Sequence, residues 1–184
     1  MLRSISNRRL GLALAGAVAM TCATRAHAEA FLDLGVNISR IDSRIALEPD
    51  WTSSNSGGVH IGLGVRRTLS GGNDIGVRLE LDNLDSDALL AVRAFDYRFN
   101  RSERFAIGAF LGAARLNLAT PAYGYYFGGG VQFKDVLAGW DLGADLRRGD
   151  KIARDNVLPS DPQGGSPDSF YDLTGLSVYF SKRF

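Results

Sequence analysis

Nine ionisable residues share one parity of an alternating pattern: Asp33, Arg66, Arg78, Glu80, Asp82, Arg93, Asp141, Asp145 and Arg147. Apolar residues flank most of them, as in Val77-Arg78-Leu79-Glu80-Leu81-Asp82. Arginines and carboxylates gathered in one enclosure have two uses. They neutralise one another as a buried network, because a buried charge is tolerated only when paired. Alternatively, they line a narrow path for ions or small solutes. His60 belongs to the same parity and is expected in the same enclosure, near the outer end of its strand.

Other chemistry has thinner support. Asp155, Asp161 and Asp168 stand in a Pro/Gly-rich stretch, where they could meet a divalent cation but fit better as solvated loop charges. No metal-ligand spacing occurs, and no cofactor is expected. Gly128-Gly129-Gly130 lies inside an alternating run and precedes no helix, so it is not a phosphate-binding loop. Trp51 is a large aromatic in a connection, suited to touching a partner or folding back on a rim.

The first residues set the compartment. Arg3, Arg8 and Arg9 precede an uncharged, largely apolar run from Leu10 to Thr24, and Ala26-His27-Ala28 follows. Basic region, apolar region and A-x-A site in this order predict a secretory signal peptide cleaved after Ala28. The run is short for a membrane anchor, which needs ~20 residues. Ala19-Met20-Thr21 before Cys22 suits a lipoprotein signal poorly. Cleavage of 28 residues from 184 leaves 156 as one domain, with 17 basic residues against 20 acidic, a net charge of −3. The only Cys leaves with the signal, so no disulfide or thiol-based site is expected. The mildly acidic balance argues against nucleic acid.

The elements that must position these charges are strands. Period-two alternation recurs eight times between clusters of Gly, Asn, Asp, Ser and Pro. The runs centre on Leu32–Ile38, Val59–Val65, Ile75–Leu81, Leu90–Phe99, Phe105–Leu111, Tyr125–Phe133, Trp140–Leu146 and Leu176–Phe180. In the fourth, the apolar set jumps from Leu90 and Val92 to Phe95, Tyr97 and Phe99, which predicts a β-bulge at Ala94. Connections alternate in length, with the first (39–58) and seventh (148–169) long. Long loops on one end and short turns on the other are what a membrane barrel with both termini in the periplasm requires.

Three features turn the apolar face towards lipid. Gly35, Gly62, Gly64, Gly76, Gly108, Gly112, Gly128, Gly130 and Gly143 all share the polar parity, where they make room inside a narrow barrel for side chains such as Arg66 and Arg78. Tyr97, Phe99, Phe105, Phe133 and Trp140 collect at the strand ends near the termini, as interfacial aromatics do. The last strand, Thr174-Gly175-Leu176-Ser177-Val178-Tyr179-Phe180, leads to a terminal Phe184. Gly175, Val178, Phe180 and Phe184 resemble the C-terminal signal by which outer-membrane proteins are read by the barrel-assembly machinery. Lys182 departs from that pattern, since an apolar residue is more usual there.

With these residues the pattern from Ala30 to Phe184 resembles the small outer-membrane barrels: the OmpA transmembrane domain, OmpX and the opacity-type adhesins. That resemblance implies an all-β, eight-stranded, antiparallel up-and-down barrel with a polar, largely filled interior. It implies outer-membrane lipid and lipopolysaccharide as surroundings, and no periplasmic domain beyond the barrel. The expected role is structural or surface-interacting, through the loops. The alternatives are a narrow channel, a lipid-modifying barrel enzyme, or a soluble periplasmic barrel for an apolar ligand. The enzyme would need a nucleophilic Ser and an acid beside a His; the His–Ser pair two apart on a late strand, as in lipid A deacylases, does not occur. An omptin-like protease would need more strands and more acidic and His residues at its mouth.

Overall fold

The structure, a computed structural model, describes residues 28–45, 50–84, 87–117, 121–153 and 169–184. The proposed signal peptide lies outside the described residues except for Ala28. Strands β1 (Ala28–Ile45), β2 (Thr52–Thr68), β3 (Asp74–Leu84), β4 (Asp87–Asn100), β5 (Phe105–Asn117), β6 (Ala122–Leu137), β7 (Trp140–Ala153) and β8 (Ser169–Arg183) follow in chain order. Each pairs antiparallel with its neighbour, and β1 pairs with β8, so the sheet closes into a barrel. Closure leaves no sheet edge, as a hydrocarbon environment demands.

The alternation decides which face is which. Along β1, Val36 and Ile38 are 60% and 66% exposed, whereas Asp33, Asn37 and Ser39 are at most 1% exposed. Leu63, Leu79, Leu111, Phe127, Leu146 and Phe180 continue the exposed apolar belt around the barrel. An apolar exterior around a buried polar interior inverts the order of a water-soluble barrel. The fold is that of an outer-membrane β-barrel.

The bulge lies in β4. Arg93 pairs with Gly112 and Phe95 with Leu111, so Ala94 is the extra residue. Ala94 and Phe95 both face outward, and the parity of all later residues in the strand is reversed.

Three connections are shorter than the sequence suggests. Residues 39–58 are not one long loop. β1 and β2 continue in register from Ser39↔Ser56 to Ser43↔Thr52, leaving only 46–51 between them. This outer hairpin is polar on its exposed face, so hydrophobic alternation cannot reveal it. Hydrogen bonds substitute: Arg40 Nε donates to Asp42 Oδ1 at 2.9 Å, and Ser53 Oγ donates to the same oxygen at 2.5 Å. Ser53 first, and then Arg40, hold the Asp42 carboxyl below its ordinary range. Similarly, 148–153 belong to β7 and 169 opens β8. Residues 154–168, including Asp155, Asp161 and Asp168, lie outside the described residues. The sixth connection, expected over 134–139, narrows to a turn at Ala138-Gly139, both with positive φ (49° and 76°).

Candidate functional site

The lumen has two layers. In the middle, Arg66, Arg78, Arg93, Arg98 and Arg147 meet Asp33, Glu80, Asp82, Asp96 and Asp145, all at most 3% exposed. Five cations against five anions make this layer neutral, the condition under which buried charge is tolerable. Four of the five carboxylates have more than one partner. Asp145 accepts from Arg93 at 2.6 Å, Arg98 at 3.1 Å and the Tyr179 hydroxyl at 2.9 Å. Asp96 binds Arg66 and Arg78, each at 3.1 Å, and Arg98 at 3.0 Å. Glu80 meets Arg93 at 2.5 Å and accepts from the Tyr126 hydroxyl at 2.8 Å. Asp33 pairs with Arg78 at 3.0 Å, and Asp82 bridges Arg147 and His60.

Several glycines of the polar parity face bulky lumen side chains. A Cβ on Gly143 would lie 2.5 Å from Cζ of the Tyr179 ring, and one on Gly108 would lie 2.6 Å from Cδ of Arg98. A Cβ on Gly62 would stand 2.9 Å from Asp33 Oδ2. Side chains that nearly span the lumen fit because the strand they approach has none. Asp141 sits nearer the terminal rim, where Gln132 donates to it at 2.8 Å and Arg183 lies 3.6 Å away.

Towards the end away from the termini, the interior becomes apolar. Leu84, Leu89, Leu116, Ile152 and Leu173, at most 2% exposed, pack with Ile41, Ala114, Ala122 and Phe110. Phe110 joins the layers: the Arg93 guanidinium carbon lies 3.5 Å from its ring centre. Among the described residues a charged layer thus lies beneath an apolar cap.

His60 is fully buried, with Nδ1 2.6 Å from Asp82 Oδ1. It lies deeper than expected, because β2 begins at Thr52 rather than beside His60. Its Nε2 has no hydrogen-bond partner among the described residues. A nucleophile for acyl transfer would have to sit there. Among the described residues, no group of three or more His, Cys, Asp or Glu side chains is placed to hold a metal ion. Trp51 is 45% exposed, with the Arg44 guanidinium 5.2 Å from its ring centre.

All nine charges singled out in the sequence are buried on the lumen side; eight of them lie in one layer with Asp96 and Arg98, which the sequence reading omitted, while Asp141 stands apart at the terminal rim. The bulge at Ala94 was the signal that would have found them, since it turns Asp96 and Arg98 inward. The apolar cap was also overlooked. Consecutive Leu89 and Leu90 put one apolar side chain on each parity, Leu89 buried inside and Leu90 exposed on the belt, so the strand is apolar on both faces there. Of the expected interfacial aromatics, Phe99 and Phe133 are exposed and Tyr97, Phe105 and Trp140 half-buried. Phe105 pairs with Phe133, their ring centres 5.2 Å apart. Gly175 faces inward against Arg147, while Val178, Phe180 and Phe184 point outward.

Comparison with protein families finds no match, and comparison with curated proteins finds none either. Solved structures of similar shape exist. The attachment invasion locus protein Ail of Yersinia pestis shares 10% identity over 83% of this chain and 97% of its own, with a TM-score of 0.46. Neisserial surface protein A shares 14% over 84% and 99%, with a TM-score of 0.46. The outer membrane protein OprG of Pseudomonas aeruginosa shares 10% over 85% and 95%, with a TM-score of 0.43. At these identities the likeness concerns fold alone.

Proposed function

We propose that this chain is a non-conducting outer-membrane scaffold of surface-interaction type, with both termini in the periplasm after signal cleavage near Ala28. The observation that carries this is the two-layered filling of the lumen: a neutral network of ten buried charges under a packed apolar cap. A filled barrel leaves its outer connections as the working surface. The β1–β2 hairpin and residues 154–168 are then the parts that meet a partner, as loops on a rigid scaffold commonly do. Tyr97, Phe99, Phe105, Phe133 and Trp140 form the girdle of the inner interface. Gly175, Val178, Phe180 and Phe184 serve as the assembly signal.

Planar-bilayer recording tests the filled lumen. The purified chain gives no steady conductance. A steady conductance changed by Arg78→Ala or Glu80→Ala would establish the narrow channel instead. Bacteria displaying the chain adhere to matrix-coated surfaces, and replacing 46–51 and 154–168 by Gly-Ser removes that adhesion while leaving the barrel folded. Equal adhesion by both would remove the interaction role. Mass spectrometry of lipid A after overexpression addresses the enzyme: an altered lipid A would install it.

A further inference from the structure

The last strand is fastened at its very end. Lys182 lies on the outward face, its ammonium 3.3 Å and 3.4 Å from the carbonyl oxygens of Gly139 and Ala138 in the β6–β7 turn. The Phe184 amide donates to the Ala30 carbonyl at 2.9 Å, which carries the β1–β8 pairing to the final residue. Between them stands Arg183, opposite Phe31 and on the lumen parity of Tyr179 and Ser181. Its side chain is 25% exposed, at the terminal mouth of the barrel.

Arg183 meets three carboxylates with three different nitrogens. Nη1 is 3.5 Å from Glu29, Nη2 is 3.5 Å from Asp74, and Nε is 3.6 Å from Asp141. Those partners sit on β1, β3 and β7. β7 pairs with β8 whether or not the sheet is closed. β1 meets β8 only when the sheet closes, and β3 lies two strands beyond β1. Two of the three contacts therefore belong to the closed barrel alone. A slip of β8 by one residue would turn Arg183 outward and lose all of them, because side chains alternate between faces.

We propose that Arg183 is a clasp for barrel closure, a conformational device that holds the β1–β8 seam shut and in register at the terminal mouth. The other neighbouring strands are consecutive in the chain, so a connection keeps each pair together. β1 and β8 are the first and last strands, and pairing and side-chain contacts alone join them. Partly exposed ion pairs contribute little one by one, but here one guanidinium serves three carboxylates at once. Two of these are fixed points: Thr68 donates to Asp74 at 2.7 Å, and Gln132 donates to Asp141 at 2.8 Å. The clasp rests on the fold and not on the role proposed for the outer connections.

The test uses the full chain, expressed, processed and folded in nanodiscs. Hydrogen exchange is followed at 30–34 and 180–184 for the seam, and at 96–100 and 106–110 for the β4–β5 pair at the same end. Arg183→Gln speeds exchange at the seam about tenfold, the loss expected of a few weak pairs acting together, and leaves β4–β5 as it was. Glu29→Gln speeds it about threefold. The double variant exchanges no faster than Arg183→Gln alone, because both substitutions remove the same contact. Salt near 1 M, which screens beyond ~3 Å, narrows the gap between the wild type and Arg183→Gln. Arg148→Gln, exposed near the far end of β7, leaves the seam unchanged. Boiling-dependent gel mobility shows that each variant is folded; where Arg183→Gln gives no folded band, Glu29→Gln decides in the same way. Seam exchange equal to that of the wild type, an equal rise at β4–β5, or simple addition of the two effects would overturn the clasp.

Discussion

Removing one partner from the charged layer should be costly, because its neighbours stay buried. Asp145 touches Arg93, Arg98 and Tyr179 at once. Asp145→Ala is expected to cost about 3–5 kcal/mol, the penalty for stranding a buried charge. Urea unfolding of the barrel in lipid vesicles measures it. Gly143→Val tests the other half of the design. Its new Cβ meets a Tyr179 ring held in place by its hydroxyl, so the loss should be about 1–3 kcal/mol from overpacking. At the exposed Arg40 the same assay should register little, since pairs open to water contribute about 0–1 kcal/mol.

At the scale of elements, the outer hairpin behaves as strand and not as loop. Hydrogen exchange in nanodiscs should find the amides of 39–43 and 52–56 protected relative to unstructured chain. If they exchange at unstructured rates, the hairpin extension is wrong. The carboxyl of Asp42 binds its proton less readily in the folded hairpin than its ordinary pKa of 3.8 implies. Its contribution is therefore complete above that ordinary value and is lost as pH falls through the lowered folded one. Protection at the hairpin tip should decline on acidification in that window before the belt strands change, and Asp42→Asn should remove the difference.

For the whole molecule, closure and belt make one prediction. The processed chain should require detergent for extraction, run as a compact band on SDS gels without boiling, and shift on boiling to the position of an unfolded chain. A single unshifted band from a detergent-free extract would mean that the apolar face is a core and the strands are inside out. Hydrogen bonds between every neighbouring strand pair, β1 to β8 included, are the physical basis of such resistance.

Much of this was legible before any coordinates. Strand existence, parity and the outward apolar face follow from period-two alternation, because a pleated strand must send successive side chains to opposite faces. The bulge at Ala94 was legible for the same reason, as a break in phase. Strand ends were not: from Arg40 to Arg44 and from Thr52 to Ser56 the outward side chains are polar and meet water, so pairing there writes no apolar pattern. Nor does alternation say which charges meet. Arg78 reaches Asp33, Asp96 and Asp145 from three other strands, and only the register and curvature of a closed barrel set those distances. The apolar cap is of the same kind. Leu84, Leu116, Ile152 and Leu173 are far apart along the chain, and closing the sheet is what stacks them above the arginines.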